Sequence, residues 1–345
     1  MTQFYDARGN IYGVVSPRQV RAQGIDLPSS AAQAAQTRET WSAAAVQAFC
    51  AWAPGEAPPE AKAHRSDGLL IGPFQDAPPF DLLIVNTDGT LAERSGNGLT
   101  IFSLALQEQG LLVGDGECLL QVHHDKPEGV SPVQTSVRAA EFEGVQGFWL
   151  DLGAPLFGPR AVAAQGIEEV IFGPWEVSRV PALHALNTAW GYSQFVRIGN
   201  PHCVTLLDDA AALPSLAQMR APALSRVLTD IAYAAPGGAG NPCLAGVNLQ
   251  WAWLEAEGRI AARVFERGEG PTASSGTSAS AVASAAWRVG WVKAGVVRVV
   301  MPGGIAPILL EDEAGELMRV RLFGAARPMT PSRASSLPQG TSVVH

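Results

Sequence analysis

The sequence predicts an α+β protein of two similarly built domains, each a mostly antiparallel sheet wrapped around a central helix. Short β-rich runs recur along the chain: FDLLIVNT, CLLQVHH, GFWLDLG, CVTLL, VNLQWAWLE, RIAARVF, VVRVVMP and MRVRLFG. They alternate apolar with polar residues or are apolar throughout, and turns bound them. Few long helices interrupt them, which favours antiparallel sheets over a parallel one. Two further stretches share one plan: RSGNGLTIFSLALQEQG from Arg94 and SGTSASAVASAAWRVG from Ser275. Each begins Ser-Gly-polar-small, continues as a helix of apolar or small residues, and reaches a glycine, Gly110 or Gly290. One copy lies in each half, which points to a duplicated plan with weak internal symmetry.

The elements follow in order. Helices are expected at about 38–52, 96–109, 214–234 and 276–289. Those at 96–109 and 276–289 are apolar or small on most faces, so each should run through the middle of its own domain. The first domain is expected over 1–135, completed by a strand around 318–328, and the second over 136–317. Segment 53–63, APGEAPPEAKA, reads as a surface loop. Residues 329–345, rich in Ser and Pro, read as a loose tail.

Bulk properties narrow the function. At 345 residues the chain accommodates two domains of ordinary size. With 47% hydrophobic and 16% charged residues a large packed core is expected, and global disorder is not. A net charge of −8 argues against a nucleic-acid partner. No apolar run reaches the roughly 18 residues of a membrane helix, so no membrane partner is expected. Cys50, Cys118, Cys203 and Cys243 are scattered, without a CxxC pair or a secretory signal ahead of them. They read as free, mostly buried thiols of a cytoplasmic protein. His123-His124-Asp125 lacks the spacing of a metal pair and reads as a turn or strand end, so no metal is expected.

The two Ser-Gly turns carry the chemistry. Ser95 or Ser275 can cap its helix by accepting an exposed backbone N–H. The free N–H groups of Gly96, Asn97, Gly276 and Thr277 can also cradle an anion, helped by the helix dipole. Neither turn is a phosphate loop or a dinucleotide fingerprint, because the lysine and the glycine spacing are missing. Glu266 and Arg267 precede the second turn, and Asn86 and Asp88 the first. GNPH contributes Asn200 and His202, and GVN contributes Asn248. Amides, one Glu, one Arg and two helix N-termini suit a zwitterionic amino acid as a small-molecule substrate. Asn86 and Asn248 read equally well as turn residues, and His202 as a satisfied polar residue.

At these residues the chain resembles the diaminopimelate epimerase family. FYDARGNIYGVV, SDGLLIG, NTDGTLAERSGNG, GNPHCV, GVN, FERGEGPTASSGTSA, MPGG and LFGAA match its motifs in the family order over roughly residues 4–328. The resemblance implies a cofactor-independent isomerase with its site in a cleft between two domains, acting on LL- or meso-diaminopimelate, and leaves a homodimer open. By motif position, Asn10, Asn86, Asn200, Asn248, Glu266 and Arg267 would bind the substrate's amino and carboxylate groups. The amides of Gly96, Asn97, Gly276 and Thr277 would hold the carboxylate beside the reacting carbon. His202 and Glu266 would lie near the proton-transfer groups.

In that family one cysteine takes the α-proton and a second delivers one to the opposite face. Here both positions hold serine, Ser95 and Ser275, expected to face each other across the cleft. A thiol titrates near 8.5 and an alcohol close to water, near 15.7, a gap of about 7 units or on the order of 10 kcal/mol. A helix dipole contributes up to about 2 kcal/mol and cannot close it. A serine needs an adjacent base, and His202 and Glu266 are the candidates. Pro271, Ser274, Ser278, Thr100 and Gly68 also depart from the family pattern, so divergence reaches beyond the two serines. Two alternatives stand beside the epimerase reading: a catalytically silent amino-acid-binding homologue, and a thiol-free isomerase of the phenazine-biosynthesis type with Glu266 or Glu93 as carboxylate base.

Overall fold

The computed structural model describes residues 2–114, 116–127, 129–233, 243 and 246–329. The chain forms two compact units. The first contains the chain up to Gln109, Val122–Val133 and the residues from Ala326; the second contains Gly110–Gln121 and Gln134–Ala325.

In the first unit, Gln3–Ala7 and Asn10–Val15 form an antiparallel hairpin joined by Arg8 and Gly9, both at positive φ (55° and 84°). Two left-handed residues twist the turn with the strands, as a two-residue hairpin requires. Asp6 Oδ1 accepts the Gly9 N–H at 2.7 Å, and Asn10 is set at the exit of the turn. Asn10–Val15 then pairs in parallel with Gly68–Ile71, which pairs antiparallel with Phe80–Asn86. A parallel pair needs a long crossover, and residues 16–67 provide it with the short helices Pro17–Ala22, Ala31–Gln36 and Ser42–Phe49. The crossover packs Val20, Leu27, Ala34, Trp41, Val46 and Phe49 against Leu69, Ile71, Leu83 and Val85 of the sheet. The Ser95 helix, Gly96–Glu108, follows, buried from Gly98 to Ser103 and again at Ala105 and Leu106.

The second unit repeats this plan. Ser193–Ile198 and Asn200–Leu207 form a hairpin, Asn200–Leu207 pairs in parallel with Asn248–Ala256, and that strand pairs antiparallel with Arg259–Glu266. The crossover again carries helices, Leu216–Arg220 and Pro222–Ala232, packed over Leu249, Trp251 and Phe265. The Ser275 helix, Gly276–Arg288, is buried at every residue from Ser278 to Ala286. It packs on strands from Ser193–Ile198 across to Glu316–Gly324, so the sheet wraps around it. Its Ala and Ser side chains are what let the surrounding strands approach so closely.

Three expectations need correction. The strand expected to complete the first unit divides: Glu316–Gly324 pairs with Gly304–Glu313 and Val145–Asp151 in the second unit, and only the bridge at Arg327–Pro328 reaches Gln3–Ala7. The helix expected at 214–234 is broken because Pro222 forces Ala221 to extended geometry (φ −60°, ψ 130°). The helix expected at 38–52 is a 3₁₀ turn, Arg38–Thr40, followed by Ser42–Phe49. Between them Trp41 turns inward, buried, and donates its indole N–H to Ala34 O at 2.8 Å. Segment 53–63 is an exposed loop apart from a half-buried Ala61. The expected tail lies outside the described residues from 330 onward.

Because the Ser275 helix is enclosed, Ala283→Leu should overpack the second unit. The expected loss is about 1–3 kcal/mol, read as a lower midpoint in urea unfolding; an unchanged midpoint would mean the helix is not enclosed as described.

Candidate active site

Each serine is the N-cap of its helix. Ser95 Oγ accepts the Gly98 N–H at 3.0 Å, and Ser275 Oγ accepts the Ser278 N–H at 3.4 Å. Capping satisfies one of the orphan amides of a first turn and leaves earlier ones pointing outward. Residues 95–97 and 275–277 are half-buried, and both helices enter the core one residue later. Each cap therefore leaves the earlier amides of its first turn without an intrahelical partner at a half-buried position.

In the first unit, Asn97 Nδ2 donates to Asn10 Oδ1 at 3.1 Å, and Asn10 Nδ2 donates to Asp67 Oδ2 at 3.3 Å. Asp67 also accepts the Ile11 N–H at 2.8 Å and Lys62 Nζ at 2.6 Å. Burial pushes the Asp67 carboxyl up, but these donors together hold it below its ordinary value. Tyr12 hydroxyl lies 3.3 Å from Ser95 Oγ. Nothing in the sequence singled out Tyr12, because an aromatic residue in an apolar strand reads as core. Asn86 Nδ2 donates to Thr90 Oγ1 at 2.9 Å. Glu93, the alternative base, lies 3.5 Å from Lys126 and is about half exposed.

In the second unit the neighbouring strands Asn248–Ala256 and Arg259–Glu266 bring Asn248, Glu266 and Arg267 together. Asn248 is buried and its Oδ1 accepts the Arg267 N–H at 2.8 Å. Gly246, at φ 78°, lets the chain pass beside Arg267; a Cβ there would lie 2.4 Å from Arg267 Cδ. Burial raises the Glu266 carboxyl above its ordinary 4.5, the neighbouring Ser275 and Thr272 hydroxyls partly offset the rise, and the charge of Glu269 adds to it. Ser275 thus lies beside Glu266 while its Oγ accepts from its own helix. Asn200 is exposed at the start of its strand.

His202 is fully buried, and burial lowers it to about 3. It is neutral at neutral pH, and its Nδ1 lies 3.0 Å from the Gln250 amide, which lies 3.0 Å from Ser278 Oγ. With its oxygen toward both, Gln250 accepts from His202 and Ser278, and its amino group donates to the carbonyls of Cys203 and Asn248. This network ties the two parallel strands to the first turn of the Ser275 helix. Gln250 went unnoticed in the sequence; a glutamine in the apolar run VNLQWAWLE was the signal.

The four cysteines are free, and burial raises the pKa of each, to about 12 for Cys203 and Cys243. None has the electropositive, accessible setting of a reactive thiol. His123 lies 3.1 Å from Asp81, the His124 ring bonds Val130 O, and Asp125 pairs with Arg38. No metal-binding cluster is present among the described residues, and no helix among them is long and apolar enough to cross a membrane.

A family model described as diaminopimelate epimerase matches residues 194–326. The chain is 30% identical over 255 residues to diaminopimelate epimerase 2 of Nostoc sp., covering 72% of this chain and 75% of that one. It is 28% identical over 265 residues to diaminopimelate epimerase of Burkholderia thailandensis, covering 76% and 81%. Among solved structures, a phenazine biosynthesis protein of the PhzF family from Bacillus anthracis aligns over 95% of this chain and 96% of that chain. The TM-score is 0.54 at 14% identity, a likeness of fold. Fold and relatives together define an isomerase of the epimerase class. More closely, the chain belongs to the diaminopimelate epimerase family.

The raised Glu266 carboxyl carries a stability consequence. Its folded-state pKa lies above the ordinary 4.5, so the fold favours the protonated form. That contribution is full below the unfolded value and is lost as pH rises through the folded one. Glu266→Gln should therefore raise the melting temperature at neutral pH, with the gain shrinking as pH falls towards 4.5 and gone below it. A lower melting temperature at neutral pH would contradict it.

Proposed function

We propose that this protein is a cofactor-free isomerase that moves the α-proton of an amino acid of the diaminopimelate kind, with Glu266 as the base in place of a thiol. The observation that carries the reading is the Ser275 hydroxyl, at a helix N-terminus, set beside a Glu266 carboxyl that burial raises. A serine alone is too weak an acid to ionise near neutral pH, whereas a carboxylate raised toward the working pH is a usable general base. Glu266 takes the α-proton directly or through Ser275. Asn10, Asn86, Asn200, Asn248 and Arg267 orient the substrate. The amides of Gly96, Asn97, Gly276 and Thr277 stabilise its carboxylate as negative charge develops at the adjacent carbon.

A second reading is a one-base isomerase of the phenazine-biosynthesis type, in which the Glu266 carboxyl that burial raises is the single base. A single carboxylate would then return the proton to another carbon of the same molecule.

Incubation with diaminopimelate and a panel of amino acids in deuterated water separates these readings. An epimerase washes deuterium into Cα with inversion, a one-base isomerase labels a different carbon, and a silent homologue shows ligand-dependent melting without exchange. Glu266→Gln should reduce exchange at least about 100-fold. Ser95→Cys with Ser275→Cys should raise it, and either change alone should raise it little, because each face of the carbon needs its own group. A double-cysteine protein that neither binds nor exchanges any amino acid would overturn the proposal.

A further inference from the structure

We propose that Tyr12 is a proton-relay residue acting through Ser95: its phenol hydrogen-bonds Ser95 Oγ and reprotonates that oxygen as Ser95 gives its own proton to the substrate carbanion. The inference rests on the proton-transfer function proposed above and supplies the acid that the first unit otherwise lacks.

Geometry carries it. Tyr12 stands on Asn10–Val15, only 7% exposed, with its hydroxyl 3.3 Å from Ser95 Oγ. Ser95 Oγ already accepts the Gly98 N–H at 3.0 Å. A hydroxyl has two lone pairs and one hydrogen. If Ser95 accepts from both the helix amide and the phenol, its hydrogen stays free for a third partner. A phenylalanine would fill the same space without a polar atom; a buried phenol needs a partner, and here that partner is the hydroxyl at the thiol position.

The ring's place is built by a second departure from the family pattern. Gly68 lies opposite Tyr12 in the parallel register. A Cβ on Gly68 would sit 2.7 Å from Tyr12 Cε1 and 2.8 Å from Val85 O. The tyrosine ring thus occupies the volume that a side chain at 68 would take, where the family favours a polar one. Gly68 thus makes room for the ring whose hydroxyl reaches Ser95.

The surroundings decide the direction of transfer. Burial raises the Tyr12 phenol, the Ser95 hydroxyl lowers it, and the nearby Asp67 carboxylate raises it again, for a net rise above 10.0. Asp67 is itself engaged by Ile11, Lys62 and Asn10. The phenol is therefore protonated through the neutral range, an acid rather than a base. In the step, the Ser95 O–H bond breaks as a C–H bond forms at the carbanion, and the Tyr12 O–H bond breaks as the Ser95 O–H bond is restored. The phenolate left behind regains a proton from water. The base and the acid then differ in kind, Glu266 for one and Tyr12 with Ser95 for the other.

Tyr12→Phe keeps the ring that fills the space beside Gly68, so the fold should survive. Exchange is compared in four proteins: the parent, Tyr12→Phe, Ser95→Cys and the double variant. Tyr12→Phe should lower exchange at least about tenfold in the parent, within the range for losing a general acid. It should change it less than about twofold with Ser95→Cys, because a thiol delivers its own proton. An equal loss in both backgrounds would make Tyr12 merely structural, and no loss in the parent would remove it from the reaction; either overturns the inference. If the parent exchanges nothing, the proposed function fails, and the pairing is judged by Tyr12 titration instead. Measured by ultraviolet difference against Tyr12→Phe, the phenol should titrate at higher pH in Ser95→Ala than in the parent. No shift would overturn the Tyr12–Ser95 pair itself.

Discussion

A helix that enters the core one turn after it begins must settle its first amides at the mouth of that core, and both units are organised around this constraint. The first four N–H groups of any helix lack intrahelical partners. Here Ser95 and Ser275 each satisfy one, and the helices are buried from residues 98 and 278 onward. The remaining donors stay at a half-buried opening. Small residues at Gly98, Ser278, Ala279 and Ala281 permit the enclosure, and the parallel strand pairs set the polar residues beside the opening.

In the proposed function, the same constraint lets a serine stand at the N-cap in place of a thiol without supplying its chemistry. Both side chains fit the N-cap position, but only the thiol can be tuned by a helix N-terminus to ionise near neutral pH. In the proposed reaction, proton chemistry then comes from what lies beside each serine hydroxyl. In the second unit that is a carboxylate raised by burial, and in the first a phenol raised by burial and a nearby carboxylate. The remaining thiols cannot substitute, since burial raises all four. His202 is likewise held neutral inside the second unit and serves the network of Gln250 and Ser278.

Much of this was legible in the sequence, for physical reasons. Ser-Gly at a helix start has few local alternatives, so both caps and both central helices could be read directly, as could the strands around Leu83, Trp251 and Val299. What failed depended on longer-range competition. The 318–328 strand was legible as a strand, but its pairing partner was not, because strand alternation says nothing about which edge it joins. Pro222 broke a pattern whose apolar spacing ran through it. Trp41 interrupted another because burying its indole outweighed continuing a helix. Tyr12 and Gln250 were hidden in apolar strands, where one polar atom decides the role and periodicity sees only the bulk of the residue.

The account stands or falls on a carboxylate doing the work of a thiol. The most direct measurement is the pH dependence of α-proton exchange in the parent protein. The account predicts an acid limb set by one carboxyl titrating above the ordinary 4.5 of glutamate, with no limb at the ordinary thiol value of 9.0. A rate that instead follows a group titrating near 9.0, and that is abolished by thiol alkylation, would contradict it.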